Sequence, residues 1–186
     1  MRSIFAAFLV LLALYVAANA ADVSNPQTDQ SALTTNKGQL PGTTTNDNAS
    51  AGNVGEYTSS IVLSGSAVSL TSGVAKDITT LTLSAGDWDV SGICGTQPAN
   101  SAVVTIYICN ITTTANTLNN IPSDGGAFGF NNSTQAANGG EAVPTDIARV
   151  SITGSTTYHL VASATFATGS GQTVGGYGKI RARRVR

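Results

Sequence analysis

Residues 156–166 read TTYHLVASATF, and their alternation decides the fold class. Tyr158, Leu160, Ala162, Ala164 and Phe166 fall on one side of an extended chain, with Thr157, His159 and Thr165 on the other. A period of two is the mark of a half-buried strand. The same period runs through 77–84 (DITTLTLS), where Leu81 and Leu83 alternate with Thr80 and Thr82. It recurs in 87–94 (DWDVSGIC), where Trp88, Val90 and Cys94 oppose Asp87, Asp89 and Ser91. Further candidate strands are 56–64, 102–111, 146–153 and 173–185. Turn residues punctuate these runs every 8–12 positions, as in sandwiches and barrels. No helical stripe appears after residue 20. The residues therefore predict an all-β, antiparallel β-sandwich over 56–186.

Composition agrees with that prediction. Of 186 residues only 10% are charged, against about 25% in an average globular protein, and the formal net charge is -1. Thr, Ser, Asn, Gly and Ala fill more than half of the chain, which suits strands and tight turns. Coiled coils, helical cytosolic proteins and nucleic-acid binders need far more Lys, Glu and Arg. Low net charge with 41% hydrophobic residues also argues against disorder of the whole chain.

The beginning of the chain differs from this body. Residues 1–20 read MRSIFAAFLVLLALYVAANA, with Arg2 ahead of an uncharged apolar run and a small-x-small triplet at Ala18-Asn19-Ala20. This is the pattern of a signal peptide cleaved before Ala21. Retained, the same segment would be a hydrophobic anchor or plug in an assembly. Residues 21–55 are polar, with Pro26 and Pro41-Gly42 and no periodicity, and are expected to be a linker or attachment segment.

Few residues have the character of a chemical site. Cys94 and Cys109 are the only cysteines. Directly opposed in a hairpin centred between Ser101 and Ala102 they could form a disulfide, and otherwise they would be two buried thiols. Fifteen residues apart and without histidine partners, they are no metal ligand set. His159, the only histidine, lies on the face opposite Tyr158 and Leu160 and is expected at a surface or interface. Asp87 and Asp89 sit at i, i+2 on one strand face, an arrangement open to glycosidase-like pairing but more typical of a solvated face. No GxSxG elbow, phosphate loop or strand-linked GxGxxG occurs. No catalytic, cofactor or metal residue is designated, and no enzyme activity is expected.

Two segments are candidates for contact. Lys179, Arg181, Arg183, Arg184 and Arg186 hold five of nine basic residues in the last eight positions. Lys179, Arg181 and Arg183 share one face of the final strand, opposite Ile180 and Ala182. All five, Arg184 and Arg186 included, are expected to meet carboxylates of a neighbouring subunit, on a strand whose charge also deters uncontrolled edge pairing. A nucleic-acid role would need a broader patch with stacking aromatics. Residues 115–145 are expected to be a long loop, and such loops are commonly functional. Within it Phe128 and Phe130 suit sugar faces, and Asn131, Asn132 and Asn138 suit sugar hydroxyls. The competing expectation is that the loop packs on a neighbouring subunit. Sequons at Asn48, Asn110, Asn131 and Asn132 are expected from Asn/Thr-rich composition alone.

Four segments together resemble a family of bacteriophage and prophage virion proteins. They are TTTNDNASAGNVGEY (43–57), LTLSAGDWDVSG (81–92), ARVSITGSTTYHLVASATF (148–166) and GGYGKIRARRVR (175–186). The resemblance covers most of 43–186, with residues 93–95 and 119–140 departing from the pattern. It implies a virion surface protein, a tail-fibre, head-fibre or decoration component with a trimeric jelly-roll domain. It names no catalytic residues. Implied partners are two further copies of the chain, other virion proteins through the N-terminal segment, and host-surface glycans. Avidity in a trimer would multiply weak contacts about 100-fold or more. Two other classes stand beside this one. One is an exported bacterial surface or periplasmic carbohydrate-binding module, suggested by the leader. The other is a polysaccharide-cleaving enzyme using Asp87, Asp89 or Asp124, suggested by composition alone.

Overall fold

The structure is a computed structural model. It describes residues 48–99, 102–119, 140–167 and 172–186, and the strand backbone over 126–134. The leader at 1–20 and most of the polar segment, with Asp124 and Asn138, lie outside the described residues. A compact unit spans Asn48–Arg186.

Ten strands form in chain order: β1 (Tyr57–Val62), β2 (Val68–Leu70), β3 (Lys76–Leu83), β4 (Gly86–Ala99), β5 (Val103–Thr112), β6 (Gly126–Thr134), β7 (Ala142–Pro144), β8 (Ala148–Ile152), β9 (Thr156–Phe166) and β10 (Thr173–Arg184). A six-stranded sheet has the order β1-β10-β4-β7, with β2 also pairing β10 and β8 also pairing β4. A four-stranded sheet has the order β3-β9-β5-β6. Every pairing is antiparallel. The chain changes sheet at β2–β3, β3–β4, β4–β5, β6–β7, β8–β9 and β9–β10, the crossing path of a jelly-roll-like sandwich.

Alternation makes the core. Trp88 and Val90 of β4, Leu160 and Ala162 of β9, Tyr107 of β5 and Ile180 of β10 all turn inward and are buried. Tyr158, Leu160, Ala162, Ala164 and Phe166 form one buried row, as their spacing predicts. Burial holds the Tyr107 phenol well above its ordinary pKa.

Three expectations are corrected. First, β4 and β5 are not a hairpin. Cys94 lies opposite Gly178 and Val143 in one sheet, and Cys109 lies opposite Ala162 and Ala127 in the other. Cys94 and Cys109 are nonetheless bridged, with Cα atoms 5.6 Å apart. The bond therefore pins the two sheets together through the core. Facing sheets usually lie about 10 Å apart, and the small neighbours Gly178 and Ala162 permit the closer approach here.

Second, residues 115–145 are not a continuous loop. They include β6, an edge strand on β5, and β7, a short strand on β4. Asn131, Asn132, Phe128 and Phe130 thus belong to a strand. Asn119 anchors the preceding segment. Its backbone N–H donates to Asn110 Oδ1 at 3.2 Å, and its Oδ1 accepts from Thr112 Oγ1 at 3.2 Å. Asn110 is fully buried, so its sequon is closed in the folded chain.

Third, β10 is not an edge strand. It lies between β1 and β4, in register with both. Its ladder runs the length of the six-stranded sheet, and residues 48–55 fold onto its end. Gly55 N–H donates to Arg184 O at 2.9 Å, and Asn48 exchanges two 2.7 Å bonds with the backbone of Tyr57. The folded unit therefore begins ahead of Glu56.

Candidate interaction surface

The outer face of the six-stranded sheet is set by register. Asp89 of β4, Arg183 of β10 and Tyr57 of β1 lie across from one another. Ser91, Arg181 and Ser59 form the next row, and Ile93, Lys179 and Ile61 the one after it. Side chains two residues apart on a strand are separated by about 6.8 Å. Lys179, Arg181 and Arg183 thus present cations at that spacing down the middle of the sheet.

Beside this row β7 and β8 are interrupted. Thr145 exchanges hydrogen bonds with the Gly92 backbone, its N–H donating to Gly92 O at 2.9 Å and its Oγ1 accepting from Gly92 N at 2.8 Å. The ladder is satisfied across the break, and Asp146 Oδ1 accepts from Ile147 N at 2.7 Å. Ile147 is left 62% exposed. It flanks two grooves. One, of about 260 Å³, is lined by Ser91, Ile93, Pro144, Thr145, Lys179 and Arg181. The other, of about 280 Å³, is lined by Tyr57, Asp89, Ser91, Arg181 and Arg183. Ile93 and Ile61, 43% and 56% exposed, add apolar surface to the same face.

The charges divide into those used within the chain and those left open. Arg149 donates from Nε and Nη2 to the two Asp89 oxygens, and this bond holds its guanidinium above its ordinary pKa. Arg186 pairs with Asp87 at 3.0 Å. Asp87 and Asp89 are therefore neutralised separately and do not form a free carboxylate pair. Arg181 donates from Nε to Ser91 Oγ at 3.0 Å. Lys179 lies 5.7 Å from the centroid of the Tyr57 ring, and this neighbouring cation is the chief cause that holds the phenol below its ordinary pKa. Among the described residues no acid pairs with Lys179, Arg181 or Arg183.

Arg184 departs from the expected row. It has the parity of Ile180 and Ala182 and points inward, only 5% exposed. Its Nε donates to Glu56 Oε2 at 2.9 Å, its Nη1 to Ala85 O at 2.7 Å and its Nη2 to Ser84 Oγ at 2.7 Å. It is an internal clamp, not a contact for another subunit.

On the opposite sheet His159 does face outward, as its parity requires. Its Nδ1 lies 2.7 Å from Asp77 Oδ2, and Asp77 Oδ1 accepts from Asn116 N at 2.6 Å. This network ties the 113–119 segment to β3. Among the described residues no three His, Cys, Asp or Glu side chains group as a metal site requires.

Tyr57, Ser91, Ile93 and Ile147 complete the surface, and the sequence reading did not single them out. For Tyr57 the signal existed, in its alternation with Thr58 and Ser60. For Ile147 none existed, because its exposure follows from the break between β7 and β8.

No family model and no curated protein sequence matches the chain. Among solved structures it is similar to one of infectious bursal disease virus, Gx strain, with 11% identity and a TM-score of 0.42. That match covers 77% of this chain and 36% of the other. A structure of the Gt strain of the same virus is similar at 13% identity and a TM-score of 0.32, covering 70% and 35%. The chain thus spans about a third of the length of each.

Proposed function

We propose that the chain is a virion surface protein of a bacteriophage or prophage, a fibre or decoration component. Its sandwich is displayed as a trimer, and its N-terminal segment attaches to other virion proteins. The observation that carries this reading is the open face of the six-stranded sheet. An isolated monomer gains nothing from three exposed isoleucines beside three cations that lack acid partners, whereas a contact surface needs both. The sequence resemblance of 43–57, 81–92, 148–166 and 175–186 supports the same reading. Immunogold labelling of purified particles tests it. Label at the particle surface is expected, with a trimer by light scattering of the released protein. Particles that never carry the label would overturn it.

A second reading is favoured by the Cys94–Cys109 bond. Structural disulfides form in oxidising compartments, and residues 1–20 have the form of a leader. On this reading the chain is an exported surface or periplasmic carbohydrate-binding module. Intact mass separates the two: a start at Ala21 in cell-envelope fractions supports export, and Met1 retained in particles supports the plug.

A further inference from the structure

We propose that the outer face of the six-stranded sheet binds an acidic polysaccharide along the two grooves beside Ile147, with Arg181, Arg183 and Lys179 as its anion contacts. The proposal deepens the reading of the chain as a surface-displayed binding protein by naming the ligand class. It does not depend on the trimer.

Charge decides the class of ligand. The acids nearest the row are occupied within the chain, Asp89 by Arg149 and Asp87 by Arg186. The row is left with three cations and no acid partner among the described residues. An Arg guanidinium carries five N–H donors in a planar fork that matches a carboxylate, and Arg181 spends only Nε, on Ser91. The partner is therefore anionic.

Shape and lining decide between anions. The grooves share Ser91, Ile147 and Arg181, so they form one path across the sheet. Each is smaller than the roughly 300–1,000 Å³ of an enclosed small-molecule site, which suits an extended chain crossing both. The Ser91 hydroxyl lines the path, with apolar walls from Ile147, Ile93 and Pro144 and an aromatic ring at Tyr57. Sugars offer hydroxyls and apolar ring faces to such a lining. A single-stranded nucleic acid would need a longer basic track with several stacking rings. This face has one ring and three open cations.

The test uses the full chain with a short oligogalacturonate, a neutral dextran oligomer and a single-stranded oligonucleotide. Saturable binding of the oligogalacturonate is expected, weakening as salt rises, with no binding of the dextran. Replacing Arg181→Ala and Arg183→Ala together should weaken binding about tenfold or more with Tm unchanged. Four results would overturn the proposal: no binding of the oligogalacturonate, binding that survives the double substitution, an oligonucleotide bound as tightly, or loss of oligomeric state with affinity retained. The last would assign the row to a subunit contact instead. Particle labelling is independent of these measurements, so failure here and failure of the virion reading are distinguishable.

Discussion

The Arg184 guanidinium lies 4.3 Å from the centroid of the Trp88 ring, and it draws together segments far apart in the chain. Glu56, at the end of the 43–57 motif, pairs with it from one side. Ser84 and Ala85, in the 81–92 motif, accept from the other. The C-terminal motif supplies Arg184 itself, and Asp87 N–H donates to Arg186 O at 3.4 Å. Residues 48–57, 81–92 and 175–186, distant in the chain, therefore meet at one corner of the sandwich and act there by closing the fold.

Arg184→Ala should be among the most damaging substitutions in the C-terminal strand. It removes a buried cation with three hydrogen bonds and a ring contact, and leaves the partly buried Glu56 carboxylate with the Gly52 N–H as its partner. Loss of hydrogen bonds to charged groups costs about 1.5–3 kcal/mol. Arg184→Lys should recover only part of this, because an ammonium cannot reproduce the fork. Arg183→Ala, one residue earlier but exposed, should stay within about 0.5 kcal/mol of the parent. Chemical denaturation of the three variants checks the ranking.

The same corner predicts an acid-sensitive step. Glu56 is held below its ordinary carboxyl pKa of 4.5, chiefly by accepting from Gly52 N–H and also by Arg184, with desolvation opposing in part. A carboxyl whose folded pKa is lowered stabilises the fold fully above its unfolded pKa. That stability is lost as pH falls through the folded value. The gap in stability between the parent and Glu56→Gln should therefore be constant near neutrality and narrow below about pH 4.5. A gap that widens towards acid would show that the pair is not formed.

The Cys94–Cys109 bond spans 15 residues of chain, and closing such a loop is worth about 3 kcal/mol in the unfolded-state entropy model. Cys94→Ala with Cys109→Ala should lower stability by that order and make it insensitive to reductant. The parent should lose a similar amount under reducing conditions. Equal stability of oxidised and reduced parent would show that the bond does not form.

Strand positions were legible because burial imposes a period of two, which β3, the first half of β4, β9 and β10 carry, while β5 shows only a β-branched run. Which sheet each strand joins was not. β4 and β5 follow one another closely, and nothing local distinguishes a hairpin from a passage between sheets. The sequence of the edge strand β6 shows no regular alternation of apolar residues, and its glycines and asparagines resemble a loop. Arg184 shows parity overruling residue type. Its place with Ile180 and Ala182 was readable from spacing, while its charge suggested an outward role. The open face was half legible: the cation row followed from alternation, but its position in mid-sheet and the ridge at Ile147 depend on pairing between distant strands.

Gly178 and Gly92 offer a paired test of how closely the sheets approach. A Cβ at Gly178 would strike the Ile93 carbonyl oxygen and lie 3.0 Å from Leu160 Cδ2 and 3.2 Å from Cys94 Cα. The backbone there is held by the ladder and the disulfide, so it cannot retreat. Gly178→Ala should cost about 1–3 kcal/mol, the range of overpacked cores. A Cβ at Gly92 would meet Leu160 Cδ1 at 2.6 Å, the end of a side chain that can change rotamer. Gly92→Ala should cost less. Its cost should also shrink in a Leu160→Ala background, because contacting residues are not additive. Gly65→Ala, with nothing within 4 Å, is the neutral control. A double-mutant cycle by thermal denaturation measures the coupling. If Gly92→Ala costs the same with and without Leu160, the two sheets do not meet at this point.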